Sequence, residues 1–428
     1  MRRALRRALG NLDFAEFVSP GDGLVWGQVT GEPTPLIGRL MEQRSTIGGR
    51  FSAFLGARFS DVLQPEHSDF VSFNAIGGIG ANRKLADAGV LNVLPAHISA
   101  VADYILSGRI KCEIAIVQLS PPDSRGRCSF ATVSDYIVAA CRKAGTVIAE
   151  INHSAPVTCG PHSLSFDEID CIVETERPVH SVVGQAASDV DLRIAGHATN
   201  LIPDGAVIQV GIGAVPDAIL SQLGGHRNLG IHSGMIGDKI VDLIEAGVIT
   251  NALKSESRGV SVTGALVGTQ RLYDFAHANP LISMQSTDVT HGASALANVA
   301  KLTSINSAIE VDLSGQVNAE EIGGRHLGAV GGAVDYVRGA SRALGGRSII
   351  ALSSTTADAM RSKIVPALAG AVSTARSDVD VIVTEFGVAD LRGRTLPERA
   401  EALVRIAHPA FRESLSAAAF TQNRIRNT

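Results

Sequence analysis

Short apolar runs rich in β-branched residues alternate with alanine-rich amphipathic stretches along the 428-residue chain. Such alternation is the pattern of parallel strands joined by crossover helices. The strand candidates are GLVWGQV from Gly23, EIAIVQLS from Glu113, TVIAEIN from Thr146, AVIQVGIG from Ala206, RSIIALSS from Arg347 and VDVIVTEFG from Val379. Between them stand helix candidates: PTPLIGRLMEQR from Pro33, SDYIVAACRKAG from Ser134, PDAILSQL from Pro216 and TADAMRSKIVPALAG from Thr356. The expectation is a doubly wound α/β fold. The polar stretch GQAASDVDLRIAGHATNLIPDG separates two sets of strands and ends in the turn signal Pro203-Asp204-Gly205, which divides the chain into domains 1–190 and 191–428.

Composition narrows the function classes. With 45% apolar residues the chain is no disordered segment, and its length gives ample core for an enzyme. Lys and Arg number 38 against 42 Asp and Glu, and aromatics make up 4%. Neither a cationic footprint nor a stacking surface for nucleic acid is present. No run of 18 apolar residues occurs, so no membrane-spanning helix is expected. The start, MRRALRRALGNLDF, carries four arginines but no apolar core of a signal peptide, and reads as an amphipathic surface helix. Five scattered cysteines without a C-x-x-C pair fit a reduced, cytoplasmic protein. No His, Cys and carboxylate cluster has the spacing of metal ligands, so no metal is expected.

Four segments carry candidate chemistry. In Gln209-Val-Gly211-Ile-Gly213-Ala214-Val-Pro216-Asp217 a strand turns into a helix over two glycines, with Pro216 suited to the first helical position. Backbone N–H groups at such a turn favour a fixed or developing anion, as an oxyanion hole or a phosphate cradle would. Proline at 216, where a third glycine would stand, separates it from the dinucleotide fingerprint. Leu229 to Met235 reads as a short strand running into a loop with His232, Ser233 and Gly234, and Ser233 lacks a G-x-S-x-G elbow. Gly331 and Gly332 precede a helix, as a tight turn or a backbone wall against a bulky ligand. Glu385 follows a buried strand, where it is either a site residue or the ion-pair partner of Arg392. Asn306, Glu310 and Asp312 form a further polar cluster on an apolar strand.

Taken together and in order, these segments resemble the acetyl-CoA hydrolase/transferase family, the class I CoA-transferases that include 4-hydroxybutyrate and butyrate:acetate CoA-transferases. The resemblance runs through GDGLVWGQVTGEPTPL, QLSPPDSRGRCSF, EINHSAPVTCG, QVGIGAVPDAIL, LGIHSGM, INSAIEVDLSGQV, GGAVDYVRGA, TEFGVADLRGRTLPERAEAL and AHPAFRESL. It implies two tandem open α/β domains with the active site between them, coenzyme A as substrate, a small carboxylate as acceptor and a homodimer or larger assembly. It also implies a ping-pong route through an acyl-glutamyl anhydride and a glutamyl-CoA thioester. The family pattern at the catalytic loop is LGIHTEM or LGIHSEM. This chain has Gly234 at the position of the nucleophilic glutamate, while Asp238 matches a separate aspartate of the pattern. Glycine has no side chain with which to attack. The resemblance then leaves direct transfer, a substitute carboxylate (Glu385, Glu310 or Glu32), a thioester hydrolase, another reaction on a CoA thioester, or a silent acyl-CoA-binding homologue.

Overall fold

The computed structural model describes residues 4–427, and the side chains of residues 4–422. Two compact units emerge. The first takes the chain as far as Val183 together with Ser233–Asp238 and Val260–Gly292, and the second takes Gly184–His232, Lys239–Gly259 and the chain from Ala293 onward. The backbone therefore crosses from one unit to the other five times.

The first unit is built on an eight-stranded sheet in the order Leu5–Arg7, Cys171–Thr175, Thr146–Asn152, Ile114–Leu119, Gly23–Trp26, Phe51–Leu55, Val71–Ala75 and Leu91–Val93. Every pairing in it is parallel. All six residues of Ile114–Leu119 are buried, as expected where helices cover both faces and the strand reads as a continuous apolar run. The helix Thr34–Gln43 buries Leu36, Ile37, Leu40 and Met41. This spacing puts one apolar stripe against the sheet, where it joins Leu24, Trp26, Phe51 and Phe73 in the core. In the returning segments, Ser261–Leu266 pairs in parallel with Ile282–Met284.

The second unit orders its strands 230–232 (the start of the strand Gly230–Ile236), Val207–Val210, Leu302–Ser307, Arg347–Ala351, Val381–Thr384 and Gly387–Asp390. Only the last joins antiparallel. The polar stretch after Gly184 holds a helix, Asp189–Thr199, started by a reciprocal capping box between Ser188 and Asp191.

All six strand candidates form. Three other expectations give way to tertiary context. The amino-terminal stretch is no helix: Leu5–Arg7 is an edge strand, with the Leu5 N–H donating to Asp170 O at 2.8 Å. Arg6 there pairs with Glu174 at 2.5 Å; Met1–Arg3 lie outside the described residues. The stretch from Thr356 is not helical either. Ala359 has a left-handed φ of 56°, Ile364–Val365 pairs with Glu310–Asp312, and Pro366 lacks the N–H that a helix interior needs. Third, Ser233, Gly234 and Met235 belong to the strand Gly230–Ile236 and not to a loop after it. All five cysteines are free thiols. Burial pushes Cys112 up to about 12 and Cys128 and Cys171 up to about 11.

Candidate functional site

In the second unit the strand order reverses at Val207–Val210. The chain continues from it to Gly230–Ile236 on one side and comes back to Leu302–Ser307 on the other. Beyond the carboxyl ends of strands that part in this way lies the usual ligand crevice of an open α/β sheet. The Gly211 to Gly213 turn occupies this place. Gly213 takes φ 130°, a conformation that side chains oppose, and caps the helix Ala214–Ser221 without a side-chain cap hydrogen bond. The helix starts at Ala214, so Pro216 is its third residue and not its first. Proline is still accommodated there, because first-turn N–H groups have no intrahelical acceptor.

Two side chains unrecognised as a pair in the sequence brace this turn. Asn306 Nδ2 donates to Gln209 Oε1 at 2.9 Å, and Gln209 Nε2 donates to Asn306 Oδ1 at 3.2 Å. A Cβ at Gly211 would stand 3.6 Å from Asn306 Oδ1. Glu310 and Asp312 do not join them. Glu310 accepts from Asn318 Nδ2 at 3.0 Å, and Asp312 closes its own turn by accepting from Ser314 N and Gln316 N. The expected cluster is thus three separate structural contacts.

His232 is 3% exposed, within its strand. The residue before it is clamped on both backbone groups: Ile231 N–H donates to Asn251 Oδ1 at 2.9 Å, and Lys254 Nζ donates to Ile231 O at 2.7 Å. Burial pulls Lys254 down to about 7. Nothing in the spacing of Asn251 and Lys254 signals this role.

Gly331 has a left-handed φ of 57°, and Gly332 caps the helix Ala333–Arg342 without a side-chain bond. A Cβ on Gly331 would meet nothing nearer than Ala329 O at 4.0 Å. Glu385 is buried directly after Val381–Thr384, where it accepts from Ser354 N at 2.9 Å and Ser354 Oγ at 2.6 Å. Arg392 is bonded instead to Asp380, at 2.6 Å.

In the first unit, Ser233 is buried and its Oγ donates to Met235 O at 2.7 Å. Gly234 lies against Gly264, where an added Cβ would stand 3.1 Å from Gly234 O and 3.7 Å from Asp135 Cβ. Asp135 accepts from Gln28 Nε2 and from Ile137 N. Burial raises its carboxyl to about 6. Glu32 is tied up: it accepts from Arg58 Nε at 3.1 Å and Ser60 N at 3.2 Å, in a pair of which each side chain is 1% exposed. Burial raises the Glu32 carboxyl, and Arg58 offsets part of that. Next to this pair Arg177 binds Glu150, with Nε at 2.6 Å from Oε1 and Nη2 at 2.9 Å from Oε2. Among the described residues no group of three or more His, Cys, Asp or Glu is arranged to hold a metal ion, and no helix is long and apolar enough to cross a membrane.

The acetyl-CoA hydrolase/transferase N-terminal domain matches residues 9–184, and the C-terminal domain of the same family matches residues 268–419. The chain belongs to the acetyl-CoA hydrolase/transferase family. Within it, the chain is 38% identical over 395 residues to the 4-hydroxybutyrate coenzyme A transferase of Clostridium kluyveri, covering 92% of each. Its fold is similar to that of RipA from Yersinia pestis, with a TM-score of 0.92 at 29% identity over 98% of both chains. The 4-hydroxybutyrate CoA-transferase of Porphyromonas gingivalis superposes with a TM-score of 0.81 at 32% identity, covering 99% of this chain and 97% of that one. The CoA-transferases among these relatives place the chain among enzymes acting on acyl-CoA.

Proposed function

We propose that the protein moves CoA between an acyl-CoA thioester and a small carboxylate without an enzyme-bound glutamyl-CoA intermediate. The observation that carries this reading is the Gly211 to Gly213 turn, an uncapped helix start led by a left-handed glycine where the strands part. Its N–H groups suit the oxygen of a thioester carbonyl as it becomes an oxyanion, an interaction worth about 3 kcal/mol in comparable sites. The second support is Gly234, which offers no carboxylate at the position where the family pattern has its glutamate.

The chemistry then runs between the two substrates. An oxygen of the acceptor carboxylate attacks the thioester carbon, the C–S bond breaks, and a mixed anhydride and CoA thiolate result. The thiolate attacks the acceptor's acyl carbon, the C–O bond breaks, and the donor leaves as a carboxylate. No proton changes hands. The enzyme's part is to hold both substrates together and keep water from the anhydride.

Butyryl-CoA with acetate tests the route. Acetyl-CoA is expected only when both substrates are present, with intersecting initial-rate lines and no protein retaining CoA. Gly234→Glu, on strand backbone that any residue adopts, is expected to switch the pattern to parallel lines and leave a CoA adduct reducible by borohydride. A CoA adduct on the unaltered protein would overturn the proposal.

A further inference from the structure

Resting on the reading of the Gly211 to Gly213 turn as the acyl-CoA site, we infer that Asn251 and Lys254 are positioning residues: they stand in for a neighbouring strand at Ile231 and so fix one flank of that turn. In a parallel sheet each residue turns its N–H and C=O to one side, and the next residue turns them to the other. Gly230 N–H donates to Ala206 O at 2.9 Å, toward the strand Val207–Val210. Ile231 therefore faces away from that strand, and side chains meet both of its backbone groups. Its N–H donates to Asn251 Oδ1 at 2.9 Å, and its carbonyl accepts from Lys254 Nζ at 2.7 Å.

Three residues are fitted to this arrangement. Asn251 takes a left-handed φ of 55°, which asparagine tolerates better than most residues. Its N–H and that of Thr250 both donate to Leu229 O at 3.0 Å, and Gly259 N–H closes the loop on Asn251 O at 2.9 Å. Gly230 leaves room for the lysine stem: a Cβ there would stand 2.7 Å from Lys254 Cγ and 3.0 Å from Cδ. Lys254 itself is 2% exposed, and burial pulls it down to about 7. An apolar side chain would fill the same space without the cost of desolvating an amine. It would not donate to Ile231 O. The amine is thus placed for geometry, one residue away from the peptide that leads into His232.

The strand so held pairs with Val207 and Ile208 on one side of Val207–Val210. On the other side Gln209 and Asn306 make the brace already described. The glycine turn that follows Val210 is fixed from both flanks, and its N–H groups keep one direction while the thioester binds.

The experiment follows kinetics and amide hydrogen exchange of the full chain with butyryl-CoA and acetate. Lys254→Met, and Asn251→Gly, which keeps the left-handed backbone, are each expected to raise KM for butyryl-CoA by about fivefold or more, with kcat changed by less than about twofold. Exchange in the peptide containing Ile231 should speed up by about tenfold while that of Leu302–Ser307 stays as it was. Asn251→Asp keeps the acceptor for the Ile231 N–H and should return KM to within about twofold of wild type. Gly230→Ala leaves both partners in place but displaces the lysine stem with its methyl group. It should raise KM alike, and it keeps the test open if Lys254→Met fails to fold. Wild-type KM in folded Lys254→Met or Gly230→Ala overturns the inference, even with a lowered melting temperature, because a purely structural lysine would change stability alone. Faster exchange in every strand of the variants overturns it as well. Calorimetric binding of butyryl-CoA separates the two readings: weaker binding in the variants with transfer absent throughout removes the transfer route and keeps the clamp, whereas transfer at equal KM in every variant removes the clamp alone.

Discussion

Asp135 shows what burial does to one ionisable residue beside the candidate site. Held at about 6 against 3.8 in the unfolded chain, its carboxyl binds a proton more tightly when folded, so its contribution to stability is complete below pH 3.8 and is lost as pH rises through 6. The difference corresponds to about 3 kcal/mol. Urea unfolding of wild type and Asp135→Asn from pH 4 to 7 should show their stability difference shifting by about that amount against the wild type, whatever constant offset the amide introduces. A pH-independent difference would show that the carboxyl titrates normally. At this scale the sequence is selectively legible. Gly211 and Gly213 stand out because a turn between strand and helix needs them and they lie one residue apart in the chain. Asp135, Arg58 and Lys254 do not, because each is held by residues whose proximity arises only from tertiary packing. Glu385 was conspicuous for its position after a strand, yet its partner proved to be Ser354, from the neighbouring strand's loop, and not the near-sequence Arg392.

Among the elements, the Gln209–Asn306 amide pair joins Val207–Val210 to Leu302–Ser307 where the strands part. Asn306→Leu strands the buried Gln209 amide and should cost about 2 kcal/mol in urea unfolding, with a raised KM for acyl-CoA as the glycine turn loosens. Adding Gln209→Leu should recover much of the stability, since both polar partners are then gone, but not the KM. Equal KM for all variants would mean that the pair does not brace the turn. Elements legible in the sequence are those whose burial leaves one reading open: strands such as Ile114–Leu119, apolar on both faces, or the single-striped helix Thr34–Gln43. Where a segment meets the sheet edge, local preference loses. The arginine-rich start has a helical spacing but gains backbone hydrogen bonds from Cys171–Thr175, and the stretch from Thr356 gives up a helix for pairing with Glu310–Asp312.

For the whole molecule, sequence order is a poor guide to which residues share a unit. The segment Val260–Gly292 supplies the first unit with Ala265 and Val267, packed on Val29, Ala57 and Val133. Thr30 Oγ1 donates to Leu266 O at 2.7 Å, and Ser134 N to Gly264 O at 2.8 Å. Residues 1–190 expressed alone should consequently lack a cooperative thermal transition and bind a hydrophobic dye, while the full chain melts sharply. A sharp transition in the fragment would show that the returning segments are dispensable. The polar stretch after Gly184 advertises a boundary, but the returns at 233–238 and 260–292 carry no compositional mark, because their partners lie more than a hundred residues upstream.

Five crossings of the backbone also set a schedule for synthesis. The first unit begins with the strand Leu5–Arg7 but is incomplete until Gly292 has been made. At ribosomal speeds the stretch from Val183 to Gly292 takes roughly 5–20 s. Through that interval Val29, Ala57 and Val133 wait for partners that are still inside the ribosome, so a nascent chain stalled just after residue 190 presents the apolar surface on which a cotranslational chaperone acts.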